Sequence, residues 1–190
     1  VLFNPALAEL TCQDLQQELK NEGYLNAHVD YDVTRKSAKK VNVTYRLYPG
    51  DPYFLRDVQY FYADTSVAAI LQNDIPNRLL YRGMKFDVSK LDEERKRITS
   101  LLTNHGYFRF HKEYITFEAD TIPGTRLIEL KLNLGLYHQV NSPDTLHTRY
   151  FIRHVNYQSG NPEDPKIHLR QHVLSECTRL EEHRPYSSRQ

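Results

Sequence analysis

The chain has 190 residues, with 25 Lys+Arg against 24 Asp+Glu and a net charge of +1. That balance leaves no electrostatic footprint for nucleic acid, and no apolar run approaches the roughly 18–20 residues a helix needs to span a bilayer. Aromatics make up 12%, enough to build cores, although small domains bury a modest share of their surface and are only marginally stable. There is no initiator Met, signal peptide or lipid-anchor motif. The sequence opens inside one pattern and stops inside another, so it is expected to be a fragment with any signal or anchor outside it.

Asn4-Pro5 predicts a helix start, with Asn as N-cap and Pro at the first helical position. Ala8, Cys12, Leu15 and Leu19 then fall on one face, and Gly23 is placed to end the helix in a left-handed conformation. Val29, Tyr31 and Val33 alternate with polar residues, 35–40 supplies a turn, and Val41, Val43, Tyr45 and Leu47 alternate again. This predicts a hairpin with one buried face. Pro49-Gly50-Asp51-Pro52 marks a boundary.

Residues 53–62 read as a strand and 65–73 as a short helix, capped by Thr65 and buried through Val67, Ile70 and Leu71. After Gly83, either Asp87 or Ser89 caps a long helix, Ser89 having Asp92 at the capping-box spacing. Leu91, Ile98, Leu101 and Leu102 mark its buried face and Gly106 its end. An aromatic-rich strand is predicted over 107–117. Ile128, Leu130, Leu132 and Leu134 alternate with polar residues in another. A polar linker carries Asn141-Ser142-Pro143-Asp144; a strand follows over 150–157, then a polar loop over 159–165 and a helix over 168–180.

The chain repeats itself. An offset of 97 places Tyr53, Phe54, Arg56, Val58 and Tyr60 on Tyr150, Phe151, Arg153, Val155 and Tyr157, five identities in eight positions. An offset of 83 places Phe3, Leu19, Asn21, Gly23 and Tyr24 on Phe86, Leu102, Asn104, Gly106 and Tyr107, and one of 87 matches the alternation of 41–47 to 128–134. The opening of the long helix returns a third time at Arg184-Pro185-Tyr186-Ser187. A period of about 80–100 residues is too long for a stacked solenoid unit. Each repeat is therefore expected to be a small two-layer α+β domain.

The order strand–helix–helix–strand–strand, with Gly106-Tyr107 between the long helix and the second strand, resembles the polypeptide-transport-associated (POTRA) domain of the Omp85 superfamily. Three stretches sharpen the resemblance: 81–95 (Tyr-Arg-Gly-Met-Lys-Phe-Asp-Val-Ser-Lys-Leu-Asp-Glu-Glu-Arg), Asn104-His-Gly-Tyr-Phe-Arg-Phe, and Tyr114-Ile-Thr-Phe-Glu-Ala-Asp-Thr. They look like the translocation-and-assembly-module lipoprotein branch (TamL, related to TamA) more than BamA. Val173 to Cys177 and Tyr186-Ser187 fit the family's next helices, whereas Glu181-Glu182-His183 depart from its usual Pro-Gly turn. The resemblance implies tandem POTRA-like β-α-α-β-β modules, each a three-stranded mixed sheet covered on one face by two helices. Residues 1–49 would be the latter part of one module, 50–137 a complete one and 147–190 the first part of a third.

It further implies a periplasmic position, tethered to the outer membrane through a C-terminal β-barrel outside this chain, with no cofactor and no catalysis. The implied partners are unfolded outer-membrane protein clients or assembly-machinery subunits, including an inner-membrane partner in the translocation-module branch. The physical route would be β-augmentation at the second strand of the middle module, through Phe110, His111, Lys112, Glu113, Tyr114 and Thr116. Lys112 and Glu113 read equally as gatekeeper charges that prevent pairing. A structural adaptor that binds one folded envelope partner is the competing expectation.

Other constellations carry less. His168, His172 and Glu176 share a helical spacing that can hold zinc, but no third histidine is near in sequence, and a solvated face explains them. Asp92-Glu93-Glu94 followed by Arg95-Lys96-Arg97 point in different directions around a helix and read as solvated ion pairs. Cys12 and Cys177 read as small buried thiols. Asn42-Val43-Thr44 matches a glycosylation acceptor inside a predicted strand. Tyr53, Arg56, Tyr150 and Arg153 recur at module starts, either as strand-surface packing or as inter-module contacts through Arg-on-Tyr stacking.

Overall fold

The structure, a computed structural model, describes residues 3–37, 40–157, 171–177 and 181–187. It contains helices α1 (Pro5–Asn21), α2 (Thr65–Asn73), α3 (Val88–Asn104) and α4 (Gln171–Cys177), and strands β1 (His28–Ser37), β2 (Lys40–Tyr48), β3 (Phe54–Tyr62), β4 (Ile115–Thr121) and β5 (Leu127–Leu134). The fold is α+β. From β3 to β5 the order is strand–helix–helix–strand–strand, as the sequence predicts. No helix among the described residues is long and apolar enough to cross a membrane.

The middle sheet has the order β3-β5-β4. Phe54 N–H donates to Arg126 and Ala63 N–H to Leu134, so β3 and β5 run parallel; Ile122 N–H donates to Leu127 and Gly135 N–H to Tyr114, so β4 and β5 run antiparallel. The sheet is mixed. Its centre is β5, where Ile128, Leu130, Leu132 and Leu134 are all buried while their neighbours are half-buried. The period-2 pattern in the sequence therefore reports a strand covered on one face.

Two compact units form. One comprises Val1–Phe61, Asn77–Glu94 and Thr116–Asn133, the other Tyr62–Pro76, Arg95–Ile115 and Leu134–Gln190. In the first, Leu55, Ile128 and Leu130 pack with Leu80, Phe86 and Leu91, joined at the margin by Leu25, Tyr53, Val58, Met84 and Phe117. In the second, Val67 and Leu71 of α2, Ile98 and Leu102 of α3, and Tyr107, Phe110 and Ile115 are buried. Leu102 and Val67 are fully enclosed.

Caps follow local chemistry. Asn4 accepts from Ala6 N–H with Pro5 opening α1, as expected. Asp87 Oδ1 accepts from Ser89 N–H at 2.8 Å, which settles the cap of α3 on Asp87. At α2 the expected cap is wrong by one residue: Asp64, not Thr65, accepts from Ser66 N–H at 2.7 Å.

Four further expectations are corrected. The hairpin β1–β2 pairs Val29 with Leu47, Tyr31 with Tyr45 and Val33 with Val43, but only Val29 is buried, while Val33, Val41 and Leu47 are exposed. Two strands and one helix do not supply enough cover for the whole face. The aromatic strand predicted over 107–117 begins only at Ile115, because Lys112–Tyr114 form a 3-10 turn first. Residues 150–157 form no ladder among the described residues, only a bridge from Phe151 to Pro185. Neither thiol is buried: Cys12 is half-buried and Cys177 exposed.

Candidate functional site

The Gly-Tyr phrase of the sequence builds the same joint twice. At the end of α1, Gly23 N–H donates to Lys20 O and Tyr24 N–H to Leu19 O, both at 2.9 Å, with Gly23 at φ +92°. This is a Schellman ending, in which a left-handed residue lets the chain reverse and satisfies the last carbonyls. The freed Gly23 carbonyl then accepts from Tyr53 N–H at 2.9 Å, and the Tyr53 carbonyl accepts from Phe86 N–H at 2.9 Å. Beside them, Leu55 N–H donates to Met84 O and Gly83 N–H to Leu55 O.

At the end of α3 the same bonds recur. Gly106 N–H donates to Thr103 O and Tyr107 N–H to Leu102 O. The Gly106 carbonyl accepts from Tyr150 N–H at 2.7 Å, and the Tyr150 carbonyl from Tyr186 N–H at 3.1 Å. Ile152 N–H donates to Arg184 O and His183 N–H to Ile152 O. His183 thus stands where Gly83 stands in the earlier joint, and it keeps the left-handed backbone at φ +64° against +87° for Gly83. The Glu181-Glu182-His183 departure noted in the sequence preserves the turn without glycine. Glu182 steadies it by accepting from Val155 N–H at 3.0 Å, a bond that holds its carboxyl below the usual range.

The sequence-predicted contact residues divide accordingly. Tyr53 and Tyr150 lie in the joints. The Tyr53 hydroxyl accepts from Asn26 Nδ2 at 3.3 Å. The Tyr150 ring meets Phe108 edge-on at 6.3 Å, and the Arg109 guanidinium lies 5.6 Å from it. Arg56 lies elsewhere, paired with Glu129 on the neighbouring strand at 3.3 Å. Arg153 is exposed.

The second candidate site is the edge of the sheet. β4 lies at the end of the strand order, with Thr116, Glu118 and Asp120 exposed and Ile115 buried. Bonds at Tyr114 O and Ile122 N fix which backbone groups face β5; by alternation the N–H group of Ala119 points away from β5, toward the edge. Of the predicted edge residues only Thr116 is on the strand. Lys112, Glu113 and Tyr114 occupy the 3-10 turn, His111 precedes it, and Phe110 is 2% exposed. The aromatics there form a cluster instead of a pleat: Phe110 and Tyr114 rings lie 5.6 Å apart. Charges on the strand itself are Glu118, which accepts from Asn133 Nδ2 at 2.9 Å, and Asp120.

The burial of three polar groups escaped the sequence reading. Asp64 is fully enclosed; besides capping α2 it accepts from His147 N–H at 2.5 Å. His147 is 5% exposed. Its ring sits 4.8 Å from Phe110 and 4.7 Å from Tyr114, with Nε2 3.2 Å from Gly135 O. Burial pushes its pKa down, against the Gly135 carbonyl and the Asp64 charge, and burial raises that of Tyr114. The segment after β5 is thereby pinned into its unit. Glu94, expected on a solvated face, is fully buried and accepts from Leu79 N–H at 3.1 Å and Tyr60 O–H at 3.3 Å. Glu93 beside it stays exposed and pairs with Lys90. A pattern of charge alone does not separate the two; the signal was Glu94 falling at the three- and four-residue spacing from Leu91 and Ile98.

Of the zinc spacing, His168 and the His172 side chain lie outside the described residues, and Glu176 is exposed on α4.

No family model and no curated protein matches the sequence. Among solved structures it is similar to POTRA domains 3–5 of BamA from Haemophilus influenzae, with 21% identity and a TM-score of 0.49 over 98% of this chain and 66% of that one. It is also similar to BamA from Haemophilus ducreyi lacking POTRA domains 1–3 (15% identity, TM-score 0.43, 70% of this chain and 24% of that one). A third is POTRA domains 1–3 of the periplasmic domain of Omp85 from Anabaena (11%, 0.35, 70% and 51%). The chain spans less than two thirds of each of these chains.

Proposed function

We propose that this chain is a non-enzymatic, periplasmic run of POTRA-like modules from an Omp85-type outer-membrane assembly or translocation protein, in the translocation-module lipoprotein branch. Its modules are 1–49, 50–137 and 147–190, and a barrel in the full-length protein tethers them to the outer membrane. The observation that carries this reading is the joint built twice from matching backbone bonds at Gly23–Tyr53–Phe86 and Gly106–Tyr150–Tyr186. A joint of that kind serves a scaffold whose modules follow one another in fixed register. The working surface is the open edge of β4, where an unfolded client strand pairs with the Ala119 backbone and Thr116 lies alongside. Tyr53 and Tyr150 act as inter-module contacts.

A photo-crosslinker placed at Thr116 in the full-length protein tests this. Capture of many unfolded β-barrel precursors is expected. The exposed acidic side chains Glu118 and Asp120 favour a second reading, since charges on an edge strand discourage strand addition: a structural adaptor that docks one folded envelope partner. Capture of one folded protein alone would select that adaptor, and no capture from Thr116 would overturn both.

A further inference from the structure

We propose that the cleft beside Tyr150 is a binding site for a small aromatic carboxylate. The argument begins with the two joints. The offset between repeats is 87 at Leu47 and Leu134 but 97 at Tyr53 and Tyr150, so the second connection carries ten more residues than the first. The first joint closes without them.

The added residues are folded. Tyr137 and Thr145 exchange backbone hydrogen bonds of 2.8 and 3.0 Å, His138 Nδ1 lies 2.7 Å from Asp144, and His147 is buried against Asp64. Their product is a cleft of about 190 Å³. Phe110, Tyr137 and Tyr150 give it aromatic walls; Arg109, Gln139 and Thr145 give it polar groups. Among the described residues no acidic side chain lines it, and Arg109 is the one Lys or Arg that does.

Arg109 corresponds, at the offset of 83, to Asn26 in the first repeat. Asn26 spends its amide on the Tyr53 hydroxyl. Arg109 lies over the Tyr150 ring and forms no ion pair among the described residues. A guanidinium presents its donors in a fork that fits a carboxylate through two parallel bonds, and aromatic walls accept a ring edge-on or offset. His147 stays neutral at pH 7 because burial lowers its pKa, so Arg109 supplies the charge. A cleft below the roughly 300–1,000 Å³ of drug-sized pockets suits one ring and its acid group.

The test is a backbone-amide NMR titration with phenylacetate. Saturable shifts are expected at 107–110 and 137–150. Phenylacetamide, which lacks the charge, and acetate, which lacks the ring, should each bind about tenfold more weakly or worse, and Arg109→Gln should weaken phenylacetate about tenfold. Arg109 is exposed, so the variant should keep the wild-type spectrum away from the cleft. Non-saturating shifts, equal binding of phenylacetamide, or undiminished binding by Arg109→Gln would each overturn the proposal.

Discussion

A Cβ on Gly106 would lie 2.8 Å from the carbonyl oxygen of Tyr150, closer than real Cβ atoms approach a backbone oxygen. At Gly23 the equivalent methyl would run into the Phe86 carbonyl. Both glycines also hold left-handed backbone, so two separate demands meet at each joint. Gly124 has the left-handed backbone but open space around it. Gly124→Ala should therefore cost only the conformational term of about 1–2 kcal/mol. Gly106→Ala should cost that and a further amount on the order of 1–3 kcal/mol for the displaced Tyr150 backbone, read from urea denaturation. Equal losses at the two positions would contradict the close-approach account.

That joint was partly legible beforehand. Gly23-Tyr24 and Gly106-Tyr107 announce helix endings because glycine alone enters the left-handed region without cost. The carbonyl of Tyr53 or Tyr150 as the next acceptor is a backbone contact that no side-chain pattern encodes. Asn4-Pro5 and the β5 alternation were readable for the same reason: one residue's local chemistry decides them. Asp64 and His147 were not, since their pairing joins residues distant in sequence. The run 107–114 misled because aromatic residues cluster in three dimensions as readily as they alternate along a strand.

Glu94 tests how far the buried carboxylate supports the start of α3. Glu94→Ala removes the acceptor for Leu79 N–H and Tyr60 O–H, and should destabilise by about 2–4 kcal/mol. Tyr60→Phe removes one of these bonds and should cost about 1 kcal/mol. Chemical denaturation of the two variants checks the order. A neutral Glu94→Ala would mean the carboxylate is not a structural acceptor.

Stability should fall with acid through His147. Burial holds its folded pKa below the ordinary value, so the unfolded chain takes up the proton first. The contribution is fully present above roughly pH 6.5 and is lost as pH drops through the folded-state value. His147→Gln should remove that step from a plot of Tm against pH, leaving the acid loss caused by carboxylates. An unchanged step would place its origin elsewhere.

The two thiols should differ in reactivity. Partial burial, with Asp30 and Glu9 nearby, pushes the Cys12 pKa up, which lowers its reactive thiolate fraction. Cys177 is exposed. Maleimide labelling followed by peptide mass spectrometry should modify Cys177 first, and faster labelling of Cys12 would contradict the packing of α1 on β1.

Leu102 is wholly enclosed beneath the second joint, so Leu102→Ala should cost about 2–5 kcal/mol. Loss of protection at the Tyr107 and Tyr150 amides should accompany it, measured by hydrogen exchange. A cost below about 1 kcal/mol would show that the helix end is not anchored by that side chain.

The most direct measurement is hydrogen exchange at the Ala119 amide, with and without an unfolded β-barrel precursor bound. Strand addition to β4 predicts that this amide slows on binding while the already paired amides of β5 do not change. Binding that leaves the Ala119 amide exchanging as it does without the precursor would contradict the edge of β4 as the client surface.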